Sequence, residues 1–192
     1  MSPAKTVVKP TAKTTQRSVA LLRGINVGGK HSVPMKELAA LFTKCGCSEV
    51  ATYIQSGNVV FGTRENSKLD AATIAARIEM NFGFPVPVIL RTADEMEAVI
   101  RRNPFPKADP DKERLHVSFL LSEPTAAQIA SLDPNRSPGD TFKVLGREIY
   151  LLLPNGAGNS KLTNAYFDSK LKTTSTARNW RTVLKLLEMA RT

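Results

Sequence analysis

Apolar positions in this chain come in short bursts, and the bursts alternate between two periods. The segment RSVALLRGI is continuously apolar from Val19 to Leu22, the pattern of a central strand covered on both faces. A loop through Gly28 and Gly29 follows. Pro34 suits the first turn of a helix, where a missing N–H costs little. Leu38, Leu41, Phe42 and Cys45 then recur at helical spacing, and Gly46 is a natural stop. EVATYIQSGNVVFGT places two β-branched, aromatic segments on either side of Ser56-Gly57-Asn58 and predicts a hairpin. Ser67 to Asp70 reads as a capping box, opening a helix with Ala71, Ile74, Ala75, Ile78 and Phe82 on one face. FPVPVILRT is a strand whose prolines predict an edge position or a start after Pro87.

The order is β-α-β-β-α-β, the split-βαβ or ferredoxin-like arrangement. A connector helix, ADEMEAVIRRN, and a loop rich in proline and charge come next. The theme then recurs: LHVSFLLS as a strand, EPTAAQIASL as a helix, a hairpin turning at Gly146-Arg147, SKLTNAYFDSKL as a helix, a brief strand in KTTSTARNW and a last helix. The expected fold is α+β, two ferredoxin-like subdomains related by duplication. Residues 17–92 and 115–192 form the subdomains, and 93–114 the connector. Residues 1–16, rich in Thr, Pro and Lys without an amphipathic period, read as a disordered basic leader.

Charge adds a constraint on partners. The 192 residues carry a net charge of +10, which suits nucleic acid or an anionic small molecule and is equally compatible with solubility alone. No apolar run has the ~20 residues of a membrane span, and no apolar segment follows the N-terminal lysines as in a secretory signal. Cys45 and Cys47, separated by one residue, are expected to be reduced, with Cys45 in the core and Cys47 more exposed. A cytoplasmic protein is expected.

Candidate chemistry is sparse. Gly24 to Lys30 has the G-x-x-x-x-G-K spacing of a phosphate-cradling loop. His31 stands where such a loop needs a Mg²⁺-binding hydroxyl, and Pro34 delays the helix, so nucleotide hydrolysis is not expected. The histidines, His31 and His116, and the cysteines supply no metal-ligand spacing; no metal or cofactor is expected. Two polar groups stand out. Arg23, Asn26, Gly28, Gly29 and Lys30 end the first strand, and Gln55, Ser56 and Asn58 form the hairpin tip. In the inferred topology these converge at one sheet rim, either as a ligand site or as turn-capping side chains. Arg178, Arg181 and Lys185 form a basic stripe beside the apolar stripe Trp180, Val183, Leu184 and Leu187 of the last helix.

Three segments, ALLRGINVGGKHSVPMKEL, TYIQSGNVVF and TARNWRTVLKLLEMA, resemble signature stretches of a bacterial family known as domain of unknown function 1697. The resemblance spans about residues 17–190. It implies an α+β protein of two related subdomains and brings no activity, catalytic residue, metal or cofactor. Three function classes stay open: a module binding an anionic ligand or nucleic acid, an enzyme on a small phosphorylated or carboxylated substrate at the Arg23/Asn26/Asn58 rim, and a protein-interaction or assembly module.

Overall fold

The computed structural model describes residues 15–29, 31–64, 67–108 and 114–192. Its first half runs β1 (Thr15–Leu22), α1 (Met35–Lys44), β2 (Ser48–Tyr53), β3 (Asn58–Arg64), α2 (Ala71–Phe82) and β4 (Val88–Thr92), followed by α3 (Ala93–Arg101). The second runs β5 (Leu115–Leu120), α4 (Ala126–Ala130), β6 (Thr141–Leu145), β7 (Glu148–Leu152), α5 (Asn164–Leu171) and β8 (Ser175–Asn179), followed by α6 (Trp180–Arg191). The fold is mixed α+β with two four-stranded antiparallel sheets, ordered β2-β3-β1-β4 and β6-β7-β5-β8. Among the described residues no helix is long and apolar enough to cross a membrane.

The continuous apolar run of β1 has its predicted cause. Ala20 and Leu22 pack under α1 and α2 with Leu38, Phe42, Ile74 and Ile78, whereas Val19 and Leu21 face the second half. There they join Ile89, Met96 and Val99 against Val117, Phe119, Tyr150, Trp180, Val183 and Leu186. A third apolar cluster, with Leu120, Ile149, Leu151, Phe167 and Leu171, fills the far side of the second sheet. The central strands of both sheets are therefore buried on two faces, and the central layer, including the packed pair α3 and α6, joins the halves. The Tyr150 hydroxyl donates across it to the Val99 carbonyl at 2.8 Å.

Several local expectations shift. Strand β1 takes in Thr15 and Gln16, two residues of the expected leader; residues 1–14 lie outside the described residues. Helix α2 is capped by Asp70, which accepts from the Thr73 N–H at 2.7 Å; Ser67 instead bonds Leu69 within the preceding turn. A carboxylate at the N-cap is a strong acceptor for the first free N–H groups, so the helix starts there. Strand β4 begins at Val88, after both prolines, and occupies a sheet edge.

The cysteines exchange their expected roles. Cys45 caps α1 and is half-buried, while Cys47 is 6% exposed. The chain doubles back after Gly46, and the Cys47 N–H bonds the Phe42 carbonyl, which turns its side chain under the helix. Burial pushes the Cys47 thiol up to about 11. At pH 8 it is therefore a neutral thiol and a poor nucleophile. Alkylation by iodoacetamide, followed by peptide mass analysis, should label Cys47 at least tenfold more slowly in the native protein than in urea; equal rates would show the thiol is not shielded.

Candidate functional site

The rim is built outward from the end of β1. Asn26 adopts a left-handed conformation, φ 55°, which asparagine tolerates better than most residues. Its amide nitrogen donates to the Val33 carbonyl at 3.0 Å and to the Gln55 carbonyl at 2.9 Å, and its Oδ1 accepts from the Val33 N–H at 2.8 Å. One side chain thus closes the glycine loop and ties it to the β2–β3 hairpin tip. The Asn26 N–H bonds the His31 carbonyl, and the His31 ring stacks on Phe84 with centroids 4.5 Å apart. Helix α1 starts only at Met35, so its N-terminus does not close a phosphate-type loop.

The hairpin tip is seated as tightly. The Leu22 N–H bonds the Gly57 carbonyl at 2.8 Å. Asn58 is fully buried; its amide donates to the Tyr53 carbonyl and to Ser56 Oγ, and its Oδ1 accepts from Arg178 Nε at 2.6 Å. Asn26, Gln55, Ser56 and Asn58 therefore do converge, as strand adjacency predicts. Arg23 stands beside them but forms an ion pair with Asp168 of α5, whose other oxygen accepts from Ser175 Oγ at 2.7 Å. Gly28 and Gly29 are exposed on the outer loop, and Lys30 lies outside the described residues. The polar side chains at the centre of the rim are bonded to the protein itself. What faces outward is Val27, 67% exposed, Ile54, 51% exposed, and the exposed Gln55.

The basic stripe of the last helix is not a stripe. Arg178 belongs to β8, because Asn179 caps α6 by accepting from the Thr182 N–H and the strand carries Arg178 inward. Arg181 is exposed on α6, and Lys185 bonds Glu188 at 2.7 Å. Leu184 also turns outward, and Leu186 takes its place on the buried face.

Arg178 is instead the hub that joins the rim to the second half. Beyond Asn58 it donates to the carbonyls of Leu22 at 2.7 Å, Ser56 at 3.1 Å and Ala177 at 2.8 Å, and to Thr176 Oγ1 at 2.9 Å. It thus holds its charge on neutral oxygens. Burial lowers its pKa to about 10, so it remains a cation at neutral pH. Arg91, on β4, is its counterpart and is almost fully buried. It donates to Glu148 Oε1 at 2.9 Å and to the carbonyls of Leu120 at 2.9 Å and Arg147 at 3.0 Å. Sequence reasoning missed this arginine; the signal was a lone charge inside the five-residue apolar strand VILRT. Among the described residues, no group of three or more His, Cys, Asp or Glu side chains could hold a metal ion.

The family model described as a protein of unknown function, DUF1697, matches residues 15–150. The chain belongs to that family. The DUF1697 match takes in the whole rim, from Arg23 to Asn58, and the buried Arg91 and Glu148. Among solved structures, the conserved bacterial protein SP0830 from Streptococcus pneumoniae is similar at 24% identity. The alignment covers 92% of this DUF1697 chain and 99% of that one, with a TM-score of 0.67, a likeness of fold. No curated protein matches the chain.

Proposed function

We propose that this protein is a cytoplasmic binding module for an anionic ligand, with single-stranded nucleic acid as the leading class, and that it binds at the rim formed by residues 23–29, 31–33 and 54–57. The observation that carries the reading is Ile54. It is β-branched, yet it sits in the left-handed region at φ 48° with half its surface in solvent. That conformation costs a β-branched residue free energy, and such strain persists where surrounding structure enforces it, commonly at ligand-contacting sites. The Asn26 bond to Gln55 enforces it here and holds the exposed Val27 on the neighbouring loop. The exposed aliphatic pair offers a base or ring an apolar contact, and the net charge of +10 attracts phosphate.

The fold reading behind this is a duplicated ferredoxin-like unit over 17–92 and 115–192, joined by 93–114. It is supported by β-α-β-β-α-β order and matched strand order in both halves.

Fluorescence anisotropy with a labelled single-stranded oligonucleotide tests the function. Affinity should fall by about tenfold or more between 50 and 200 mM salt, as for release of a few counterions. The double variant V27D/I54D should abolish binding without lowering the thermal midpoint, since aspartate tolerates the left-handed backbone at position 54 better than isoleucine. Affinity indifferent to salt would sink the reading. A second reading, a protein-docking surface, is favoured by the same exposed Val27 and Ile54, and would show as association that persists in high salt.

A further inference from the structure

The two buried arginines occupy one position of a repeated unit. The registers make this explicit. Leu22 pairs with Val88 at the end of β1, and Leu120 pairs with Ser175 at the end of β5. Leu21 pairs with Asn58, and Phe119 with Glu148. Leu22, Asn58 and Arg91 of the first half therefore correspond to Leu120, Glu148 and Arg178 of the second. Smaller features follow the same alignment. The Leu22 N–H bonds the Gly57 carbonyl, and the Leu120 N–H bonds the Arg147 carbonyl. The Arg23 N–H bonds Pro87, and the Leu121 N–H bonds Thr174. Thr92 caps α3 just as Asn179 caps α6.

The arginine contacts are reciprocal in these terms. Arg91 crosses into the second half to Glu148 and the carbonyls of Leu120 and Arg147. Arg178 crosses into the first half to Asn58 and the carbonyls of Leu22 and Gly57. Residue i of one half meets residue j of the other, and j meets i, which is the defining pattern of a two-fold interface.

We propose that each half presents the other with one self-complementary docking surface, so that the chain holds an isologous dimer within itself, and that Arg91 and Arg178 are the pins that set its register. The apolar central layer supplies area and is forgiving of position. A buried guanidinium is not, because displacing it strands the cation and its acceptors together. The two junctions differ in their acceptors: one holds its pin with the carboxylate of Glu148, the other with the amide of Asn58, and the second adds Thr176 Oγ1 and the Ser56 carbonyl. If the surfaces are one surface used twice, either acceptor set serves either pin.

The test cuts the folded full-length chain at a protease site placed between Ala108 and Arg114, then measures association of the halves by size exclusion and dilution. The cut protein should remain one particle with both fragments in equal amount. Arg91→Met and Arg178→Met should each weaken half–half affinity by about tenfold or more, as expected when buried acceptors lose their donors. Glu148→Asn, which gives the Arg91 junction the acceptor type of the other, should weaken affinity by less than about tenfold, because the guanidinium keeps the Leu120 and Arg147 carbonyls. Separation of the parent halves on cutting, or a Glu148→Asn loss as large as that of Arg91→Met, would overturn the proposal. The Glu148→Asn comparison with the parent stands even if an arginine variant fails to fold.

Discussion

Arg178→Met should lower the stability of the intact protein by about 3 kcal/mol and its thermal midpoint by roughly 6–12 °C. The sign follows from opposing terms. The variant no longer has to desolvate a guanidinium, which is a gain of several kcal/mol in principle. Against this, it leaves the Asn58 Oδ1, the Leu22 and Ser56 carbonyls and Thr176 Oγ1 without the donor that serves them. Each buried orphan costs about 1–3 kcal/mol, so the loss outweighs the gain. Methionine fills most of the vacated volume, which keeps a cavity from dominating the result. Urea denaturation measures the effect. A change below about 1 kcal/mol would mean that these oxygens find other donors and that the arginine does not hold the rim to the second half.

Gly57→Ala should cost about 2–4 kcal/mol, from the left-handed backbone and from overpacking. Gly57 has φ 77°, and a Cβ there would stand 2.7 Å from the Leu22 Cβ and 3.0 Å from the Ile25 Cδ1. Both neighbours are buried, so neither can swing aside. Gly146 is the control: it turns the other hairpin at φ 61° with nothing within 4 Å of its added Cβ. Gly146→Ala should therefore cost only the backbone part, about 1 kcal/mol. The difference between the two variants, read from paired denaturation curves, isolates the close approach of the hairpin tip to the end of β1. Equal losses would show that the approach contributes nothing.

Much of this geometry can be read from residues alone, because it rests on local rules. Prolines 85 and 87 can lie only outside a central strand, and β4 starts just after them at a sheet edge. The neighbouring of RGIN and QSGN follows from strand adjacency in a split βαβ order. The arginines were illegible for a different reason. Arg178, Arg181 and Lys185 have helical spacing, and only the cap at Asn179 separates the first of them from the helix. Where a charged side chain goes depends on what lies across the molecule, and its acceptors, Asn58 and Leu22, are more than a hundred residues earlier. Cys47 failed similarly: its burial comes from the chain folding back on Phe42, not from any period.

Arg178 also has a place in time. A ribosome delivers the chain from its N-terminus, and the first half, with its hairpin tip and glycine loop, emerges before the residue that plugs it. Arg178 follows Asn58 by 120 residues and Leu22 by 156, so at roughly 5–20 residues per second its acceptors are made at least about 6 s before it is. Until then Asn58 and the Leu22 carbonyl have no guanidinium to receive. The joining of the halves therefore waits on synthesis: β8 and α6 arrive late and seat a cation in a junction made by the first strands.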